Sequence, residues 1–277
     1  MALKNITDCV ELNNGLKMPW LGFGVFQIDD GQEVERSVAS ALEAGYRSID
    51  TAAIYKNERG VGRAIRESGI PREDIFLTTK VWNADQRQQR TMAAFEESLQ
   101  RLDTAYVDLY LVHWPVEGCY QQTWKVMEEI YHSGRAKAIG VSNFLIHHLQ
   151  DILAESRIVP AVNQVEFHPY LLQRELLDFC QEHHIQVEAW SPLMQGKIMD
   201  EPLIRSIAEK NGKTPAQVTL RWDLQHQVVT IPKSVHANRI LENAQIFDFE
   251  LSAEDMDALD GLDAGKRVGP DPDRFDF

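Results

Sequence analysis

Four side chains at the ends of predicted strands have the chemical types needed for proton transfer. Asp50 ends an apolar segment and Tyr55 follows it after a short loop, while Lys80 and His113 end two later apolar segments. A free phenol has a pKa near ~10 and is a poor acid at neutral pH. A lysine ammonium about 4 Å away, at an effective dielectric constant of about 20, would stabilise the phenolate by roughly 4 kcal/mol, or about 3 pKa units. If the strand ends meet, Tyr55 can therefore act as an acid near neutral pH.

The four side chains can meet only if their strands end at the same edge of one sheet. The hydrophobic pattern of the sequence predicts strands of this kind. About eight apolar runs alternate with helical patterns, as in a closed parallel barrel. The runs are almost continuously apolar, which is typical of a sheet covered on both faces. We therefore predict a single (β/α)8 TIM barrel domain over 1–277, with a short polar C-terminal tail at 269–277. Strands are predicted at 20–26, 46–50, 75–80, 107–113, 137–141, 161–165, 185–190 and 228–231, and helices at 32–44, 58–68, 91–102, 123–132, 147–155, 174–183, 203–210, from 215 and at 252–262.

The amino-terminal segment 9–18 predicts a β-hairpin that closes the bottom of the barrel. Its two short alternating runs flank Asn14-Gly15, a pair that tolerates the positive φ of tight hairpin turns. The Gly22-x-Gly24 pattern that follows lacks the third glycine and the immediate helix of a dinucleotide-binding loop. A nucleotide would therefore have to be held by side chains.

The composition excludes several classes of protein. The chain is 44% hydrophobic and 25% charged, which allows a large buried core, and its net charge of −14 argues against a nucleic-acid surface. Cys9, Cys119 and Cys180 lie far apart in no paired motif, so neither a disulfide framework nor a metal site is expected. No signal-peptide core or apolar run of about 18 residues is present, so a cytoplasmic protein without membrane contact is expected.

Each candidate residue also has a purely structural explanation. A lone Asp, Lys or His at a strand end is usually a solvated loop entry, His168 is expected to be a structural histidine, and Asp108 a satisfied buried acid. A catalytic role is favoured over these structural explanations because many strands end in polar residues that face one shared mouth of the barrel. Besides the residues above, they comprise Ser142, Asn143, Gln164, Trp190, Ser191, Lys233 and Ser234.

Six motifs, taken in chain order, resemble the signatures of the aldo-keto reductase family. The similarity runs from about residue 12 to residue 262, and the tail resembles the prokaryotic branch that includes diketogluconate and glyoxal or methylglyoxal reductases. The motifs are Leu21-Gly22-Phe23-Gly24, the segment from Asp50 to Glu58, the segment from Asp108 to Pro115, Gly140-Val141-Ser142-Asn143-Phe144, Asn163-Gln164-Val165-Glu166 and Ile231-Pro232-Lys233-Ser234.

The resemblance implies an NADPH-dependent reductase of aldehydes and ketones. Asp50, Tyr55, Lys80 and His113 would form its catalytic tetrad, with Tyr55 as the general acid during hydride transfer. The sequence leaves open whether Tyr55 or His113 donates the proton, and Tyr55 is favoured. An NADPH-binding regulatory barrel with little activity is the alternative, against which the intact tetrad counts. A metal-dependent hydrolase is disfavoured, because His113 and His168 have no suitable third ligand near a strand end.

The same resemblance implies how NADPH is held. Ser142, Asn143 and Gln164 would bind the nicotinamide amide, and Trp190 would stack on the nicotinamide ring. Along the rest of the cofactor, Ser191, Pro192 and Leu193 would pass the pyrophosphate, Lys233, Ser234 and Arg239 would bind the 2′-phosphate, and Glu242 and Asn243 would face the adenine.

The predicted substrate mouth is aromatic. Trp82 and Trp114 follow closely on Lys80 and His113, and Phe26 follows the first strand, so these residues and His113 are expected to contact substrate. The loop after Trp114 and the tail are short, which favours a shallow, open pocket for small aldehydes, α-dicarbonyls or keto-sugars. No surface pattern demands a partner protein, so a monomer is expected.

Overall fold

Eight strands run parallel in chain order around one sheet in the computed structural model, which describes residues 3–277. The sheet closes on itself, because the N–H of Gly22 donates to the carbonyl of Thr230 at 2.9 Å and that of Gly24 to the carbonyl of Pro232 at 3.2 Å. The predicted (β/α)8 barrel is therefore confirmed. With the preceding hairpin, the strands are β1 (Cys9–Glu11), β2 (Lys17–Pro19), β3 (Phe23–Gly24), β4 (Ser48–Asp50), β5 (Phe76–Val81), β6 (Val107–Val112), β7 (Ala136–Ser142), β8 (Val162–Glu166), β9 (Gln186–Trp190) and β10 (Val229–Thr230).

Helices cover the outer face of the sheet, and most lie within one to three residues of their predicted bounds. They are α1 (Gln32–Glu43), α2 (Glu58–Glu67), α3 (Asn83–Arg87), α4 (Thr91–Leu102), α5 (Tyr120–His132), α6 (Ile146–Glu155), α7 (Arg174–Glu182), α8 (Pro202–Asn211), α9 (Pro215–Gln225), α10 (Ala237–Ala244) and α11 (Ala253–Asp260). Short 3-10 helices span Ala53–Tyr55, Arg72–Asp74 and Met194–Asp200. Helices α3 and α10 are not among those predicted from the sequence. With five residues α3 is too short for a helical period, and α10 has only two large apolar residues, Ile240 and Leu241.

The amino-terminal hairpin is also confirmed, with β1 and β2 paired antiparallel. Its turn contacts the amino ends of two barrel strands. The side-chain amide of Asn13 donates to the carbonyl of Pro160, just before β8, at 3.0 Å, and that of Asn14 donates to the carbonyl of Lys137, in β7, at 2.9 Å. The hairpin therefore closes the end of the barrel opposite the carboxyl ends of its strands.

The barrel strands bury both faces. Strands β5 and β6 are buried at every residue, and the polar groups Asp50, Lys80 and His113 occur at or next to the carboxyl ends of β4, β5 and β6. Within the described residues, 3–277, no helix has the length and apolar character that a membrane crossing would need.

Helices α2 and α4 approach each other closely at Gly62. A Cβ atom added to Gly62 would lie 2.2 Å from the carbonyl oxygen of Leu102, the last residue of α4. This carbonyl belongs to the main chain and cannot swing away like the end of a flexible side chain. The close contact of the two helices therefore requires glycine at this position.

We expect Gly62→Ala to lower the free energy of unfolding by roughly 1–3 kcal/mol, because the added methyl group forces the two helices apart. Urea unfolding followed by circular dichroism measures the change. Gly261→Ala is the matched control, since a Cβ there would meet no atom closer than 3.3 Å and the backbone is already right-handed, with φ −64. Equal stabilities of the two variants would contradict the steric argument.

Candidate active site

A lysine with no solvent exposure lies at the carboxyl end of the barrel. Lys80 is 0% exposed, and its ammonium group donates to Asp50 Oδ1 at 2.6 Å and to the carbonyl oxygen of Thr51 at 2.9 Å. Burial alone would lower the pKa of Lys80, but the negative charge of Asp50 and the hydrogen bond to it oppose burial, and the pKa is raised. The lysine therefore stays charged beside Tyr55.

Tyr55 ends the short 3-10 helix that follows β4, and Lys80 Nζ lies 5.2 Å from the centroid of its ring. The side chain as a whole is half-buried, while its hydroxyl lies in a buried environment. Burial raises the pKa of Tyr55 to about 12, and the opposing effect of Lys80 is smaller. The expectation that Lys80 brings the phenol near neutrality is therefore wrong in this structure. Through the neutral range Tyr55 carries its proton.

Asn57 holds the loop that carries Tyr55. Its side-chain amide donates to the carbonyl oxygens of Val25 and Ile28, both at 2.9 Å, and its Oδ1 accepts from the hydroxyl of Thr51 at 2.8 Å. Asn57 is 0% exposed, so these bonds replace the water that its amide and its partners lose on burial. They connect the loop after β4 to the loop after β3.

His113 faces Tyr55 in a row of aromatic rings. The ring centroids of His113 lie 5.6 Å from Tyr55 and 5.2 Å from Trp82, and Phe26 lies 4.9 Å from Tyr55 on the other side. Burial, together with the charge of Lys80, lowers the pKa of His113 well below its usual value. His113 is therefore neutral and can donate one hydrogen bond from the ring nitrogen that carries the proton.

Asn143, at the end of β7, connects His113 to Trp190. Its side-chain amide donates to the carbonyl of His113 at 2.9 Å, and its Oδ1 accepts from the indole N–H of Trp190 at 2.8 Å. Asn143 has a left-handed backbone with φ 66, which asparagine tolerates better than most residues. Beside it, the hydroxyl of Ser142 donates to the carbonyl of Gln164 at 2.8 Å.

Gln164 joins opposite walls of the barrel. It lies in β8, four strands away from Asp50 in β4, and its Nε2 donates to Asp50 Oδ2 at 2.8 Å. The same nitrogen donates to Glu188 Oε2 at 2.7 Å. Both N–H bonds of the amide are thereby used, so its carbonyl oxygen is the end left for a ligand. The structure thus brings the residues predicted around the nicotinamide into contact with Asp50 and His113.

The loop after β9 carries the next predicted cofactor residues. Ser191 has a left-handed backbone with φ 54, which is unusual for serine and re-directs the chain after Trp190. Pro192 is buried and Leu193 half-buried as they lead into the 3-10 helix Met194–Asp200.

Five further predicted cofactor residues lie after β10 and in α10. Lys233 and Arg239 are exposed, while Ser234 is buried and its hydroxyl accepts from the N–H of His236 at 3.1 Å, just before α10 begins. Asn243 is buried, and Glu242 accepts from the hydroxyl of Thr214 at 3.0 Å. Two exposed cations therefore flank the start of this helix, where the positive end of the helix dipole also lies.

The tail 269–277 covers part of the mouth that was predicted to be open. Phe277 stacks on Trp82 with a centroid distance of 5.7 Å and 5° between the ring planes. Phe275 and Phe277 both contact Trp114, at 5.1 and 5.2 Å between centroids, and Trp114 is only 6% exposed. The expectations of an outward-facing Trp114 and of an open pocket are therefore wrong here, because the short tail that was predicted to be polar places two phenylalanine rings over the mouth. Phe26, at 53% exposed, remains accessible.

Two anchors hold the tail. At its far end, Asn83 and Arg87 of α3 donate to the carbonyl oxygen of Phe277 at 3.1 and 3.0 Å. Nearer its start, buried Glu166 accepts from the N–H groups of Val268 and Gly269 at 2.6 and 3.1 Å. The tail is thus fixed on both sides of the mouth.

The second anchor lies directly against Trp190. A Cβ on Gly269 would be 2.3 Å from Cη2 of the indole, so the tail backbone packs on the ring edge. Glu166 also pairs with the buried His168 at 2.9 Å, as expected of a structural histidine. Asp108 likewise accepts from Arg72 at 2.8 Å and from the N–H of Leu77 at 2.9 Å, as expected of a satisfied acid.

One group of three possible metal ligands, His147, His148 and Asp273, lies where the first turn of α6 meets the tail. His148 Nδ1 accepts from the N–H of Leu145 at 3.2 Å, which leaves the ring proton on Nε2, facing Asp273 Oδ1 at 3.5 Å. Burial lowers the pKa of His148 to about 4, so the ring is neutral. In this tautomer His148 offers Asp273 a hydrogen-bond donor rather than a lone pair for a metal.

Reasoning from the sequence missed several residues of the site, notably Glu188, Asn57 and the tail phenylalanines. The signal for Glu188 was a charged residue within the apolar strand segment 185–190. The signal for the tail was two aromatic residues, Phe275 and Phe277, in an otherwise polar stretch.

Comparison with known proteins gives a consistent result. The Aldo/keto reductase family matches residues 20–264. A glyoxal reductase of Bacillus subtilis (strain 168) is 58% identical over 99% of each chain, and the methylglyoxal reductase DkgA of Escherichia coli (strain K12) is 48% identical over 96% of this chain and 97% of its own. An aldo-keto reductase from a Medee basin deep-sea metagenome library superposes with a TM-score of 0.94 at 43% identity, covering 97% of this chain and all of that one.

The fold and the carboxyl-end site define an oxidoreductase built on a (β/α)8 barrel. The chain belongs to the aldo/keto reductase family.

Replacement of Asn57 tests how the loop bearing Tyr55 is held. We expect Asn57→Leu to lower the free energy of unfolding by roughly 2–4 kcal/mol, since two buried carbonyls and a buried hydroxyl lose their partner. Asn14→Leu is the matched control, because Asn14 is exposed and water can replace the two bonds of its side chain, to the carbonyl of Lys137 and from the N–H of Leu16. Urea unfolding compares the two, and a similar small loss in both would refute the anchoring role.

Proposed function

We propose that this protein is an NADPH-dependent carbonyl reductase in which Tyr55 protonates the substrate oxygen. The observation that carries the proposal is the buried Lys80–Asp50 ion pair at 2.6 Å, with Lys80 Nζ 5.2 Å from the ring centroid of Tyr55 and the ring of His113 5.6 Å from that of Tyr55. Proton donation becomes easier when the phenolate that it leaves has a cation next to it. The whole chain would act as one barrel domain and as a monomer.

The residues at the mouth fit a nicotinamide. The amide oxygen of Gln164 can accept from the carboxamide N–H, and the polar groups of Ser142 and Asn143 lie beside it. Trp190 is half-buried, with its indole N–H held by Asn143, so a flat ring can stack on the indole. Bound NADPH would supply the hydride for the carbonyl carbon.

The roles of the protein groups follow from their charge states. As hydride reaches the carbonyl carbon, negative charge develops on oxygen and must be protonated or held by donors. Tyr55 can give its proton to that oxygen and leave a phenolate stabilised by Lys80. A neutral His113 can donate a hydrogen bond to the same oxygen and orient the substrate. Asp50 keeps Lys80 charged and directs it.

A preference for NADPH over NADH is proposed on the basis of charge. Lys233 and Arg239 are exposed on either side of the start of α10, with Ser234 between them in sequence. Cations and a hydroxyl are the groups that bind a 2′-phosphate, and the helix start adds a favourable dipole. Ser191, Pro192 and Leu193 would follow the pyrophosphate, and Glu242 and Asn243 the adenine.

Small aldehydes and α-dicarbonyls are the proposed substrates. Relatives at 58% and 48% identity are named as reductases of glyoxal and methylglyoxal. In this chain the aromatic rings of Phe26, Trp82 and Trp114, narrowed by Phe277, favour a compact substrate over a large one.

We expect Tyr55→Phe to lower kcat for methylglyoxal reduction by roughly 10²–10⁴-fold, because the variant has no proton to donate. Affinity for NADPH should stay unchanged, since the phenol is not among the proposed cofactor contacts. NADPH absorbance gives the rates, and quenching of tryptophan fluorescence gives the affinity.

Tyr131→Phe, in α5 and away from the mouth, is the control. Full activity in Tyr55→Phe would refute the acid role, and tight NADPH binding without turnover in the wild type would favour a regulatory protein.

The phosphate site is tested by the double variant Lys233→Ala with Arg239→Ala. We expect its affinity for NADPH to fall roughly 10–100-fold and that for NADH by less than about threefold, because only NADPH loses charge-assisted bonds. Lys125→Ala with Arg66→Ala removes the same net charge from exposed positions on α5 and α2 and should leave both affinities as they are. Equal wild-type affinities for the two cofactors would contradict the assignment.

A further inference from the structure

Glu188 is a fully buried carboxyl group inside the barrel. It lies in β9 directly opposite Gln164 in β8 and is 0% exposed. Its Oε2 accepts from Gln164 at 2.7 Å, while its Oε1 has no hydrogen-bond partner among residues 3–277. A carboxylate buried with one oxygen unpartnered is strongly destabilised, and the neutral acid is destabilised much less.

The charges around Glu188 also favour its neutral form. The titratable groups that face it are Asp50 from β4, Lys80 from β5 and Tyr55 just beyond β4. The charges of Lys80 and Asp50 already cancel in their ion pair at 2.6 Å. An ionised Glu188 would therefore leave the barrel interior with an uncompensated negative charge.

We propose that Glu188 is a positioning residue that works as a neutral acid, sharing the amide of Gln164 with Asp50 and keeping the buried cluster uncharged so that Tyr55 can release its proton. This inference rests on the proposed reductase function. The neighbours on the flanking strands, Gln164 and Val229, offer Glu188 no positive charge that could stabilise its ionised form.

The effect on proton transfer follows from the charge balance. In the reduction step the O–H bond of Tyr55 breaks, its proton goes to the carbonyl oxygen that has become electron-rich through hydride transfer, and a phenolate remains beside Lys80. With neutral Glu188 the cluster changes from zero charge to one negative charge. With ionised Glu188 it would change from one negative charge to two. A negative Glu188 raises the pKa of Tyr55 and so opposes the step.

Asp50 and Glu188 together orient the Gln164 amide. Asp50 Oδ2 and Glu188 Oε2 both accept from Nε2, at 2.8 and 2.7 Å, and a flipped amide would place its own oxygen against the charged oxygen of Asp50. The carbonyl end therefore remains directed to the proposed nicotinamide site. Burial, with the charge of Asp50 next in size, raises the pKa of Glu188 to about 8, consistent with a protonated group at neutral pH.

The ionisation state can be measured without any activity. A carboxyl group with a raised folded pKa keeps a proton that the unfolded chain releases, so its contribution to stability falls as pH rises from about 4.5 to about 8 and is level above that. Relative to Glu188→Gln, which cannot ionise, the wild-type folding constant should fall about tenfold per pH unit in this window. Urea unfolding between pH 5 and 9 measures the ratio. A ratio that does not change with pH would overturn the proposal.

The consequence for the reaction is measured from the pH dependence of kcat, with NADPH and methylglyoxal at saturation. Wild-type kcat should fall by at least about tenfold as pH rises through about 8, because ionised Glu188 weakens the acid. Glu188→Gln keeps an oxygen for Gln164, so it should be active at neutral pH and should hold its rate at alkaline pH. The same alkaline decline in both proteins would refute the role of Glu188.

Asp223 provides the matched control. It is also fully buried, accepts from the hydroxyl of Thr230 at 2.7 Å, has an unpartnered Oδ1 and has a pKa raised well above its usual value by burial. Asp223→Asn should change the pH dependence of stability and leave the kcat profile like that of the wild type.

Failure of the wild type to reduce methylglyoxal would count against the proposed function, and the urea comparison would still decide whether Glu188 is neutral.

Discussion

A charged amine inside an apolar barrel can be held only where its counter-charge and hydrogen-bond acceptors are already in place. Lys80 is wholly buried, and a single ion pair with Asp50 and one carbonyl oxygen compensate its charge. The pair constrains the sheet, because a one-residue slip of β4 against β5 would turn Asp50 to the outer face. The register of β4 and β5 must therefore be kept if the buried ammonium group of Lys80 is to remain charged.

Amide side chains extend this constraint across the mouth. Asn143 donates to His113 and accepts from Trp190, whereas the amide nitrogen of Gln164 donates to both Asp50 and Glu188. The first link joins a residue with a proposed part in proton transfer to one with a proposed part in cofactor binding, and in the second the linking residue, Gln164, is itself a proposed cofactor contact. A shift of the bound cofactor would therefore be transmitted to His113 or Asp50 through one intervening side chain. The two functions share one hydrogen-bonded framework.

The sequence predicted the barrel well because alternation of apolar runs and helical patterns is a local signal. It also predicted Asp50, Lys80 and His113, since a parallel barrel brings the carboxyl ends of its strands together. Glu188 could not be found this way, because an acid inside a strand suggests an exposed face until Asp50 is known to lie opposite Gln164. The pKa of Tyr55 was misjudged because desolvation depends on tertiary packing, which exceeds the effect of the nearby charge. Contacts such as Asn83 with Phe277, 194 positions apart, have no local signal at all.

The tail is fixed by Glu166 near Trp190 and by α3 beyond Trp82, yet it adds no strand to the barrel. Its aromatic residues form one wall of the mouth, whereas the groups proposed for proton transfer belong to the strands and to the loop after β4. Substitutions at the tail can therefore remodel that wall without moving the ion pair beneath it. If these proposed roles hold, the range of accepted substrates and the chemistry performed on them can change separately in an evolving lineage, because they are encoded in different parts of the chain.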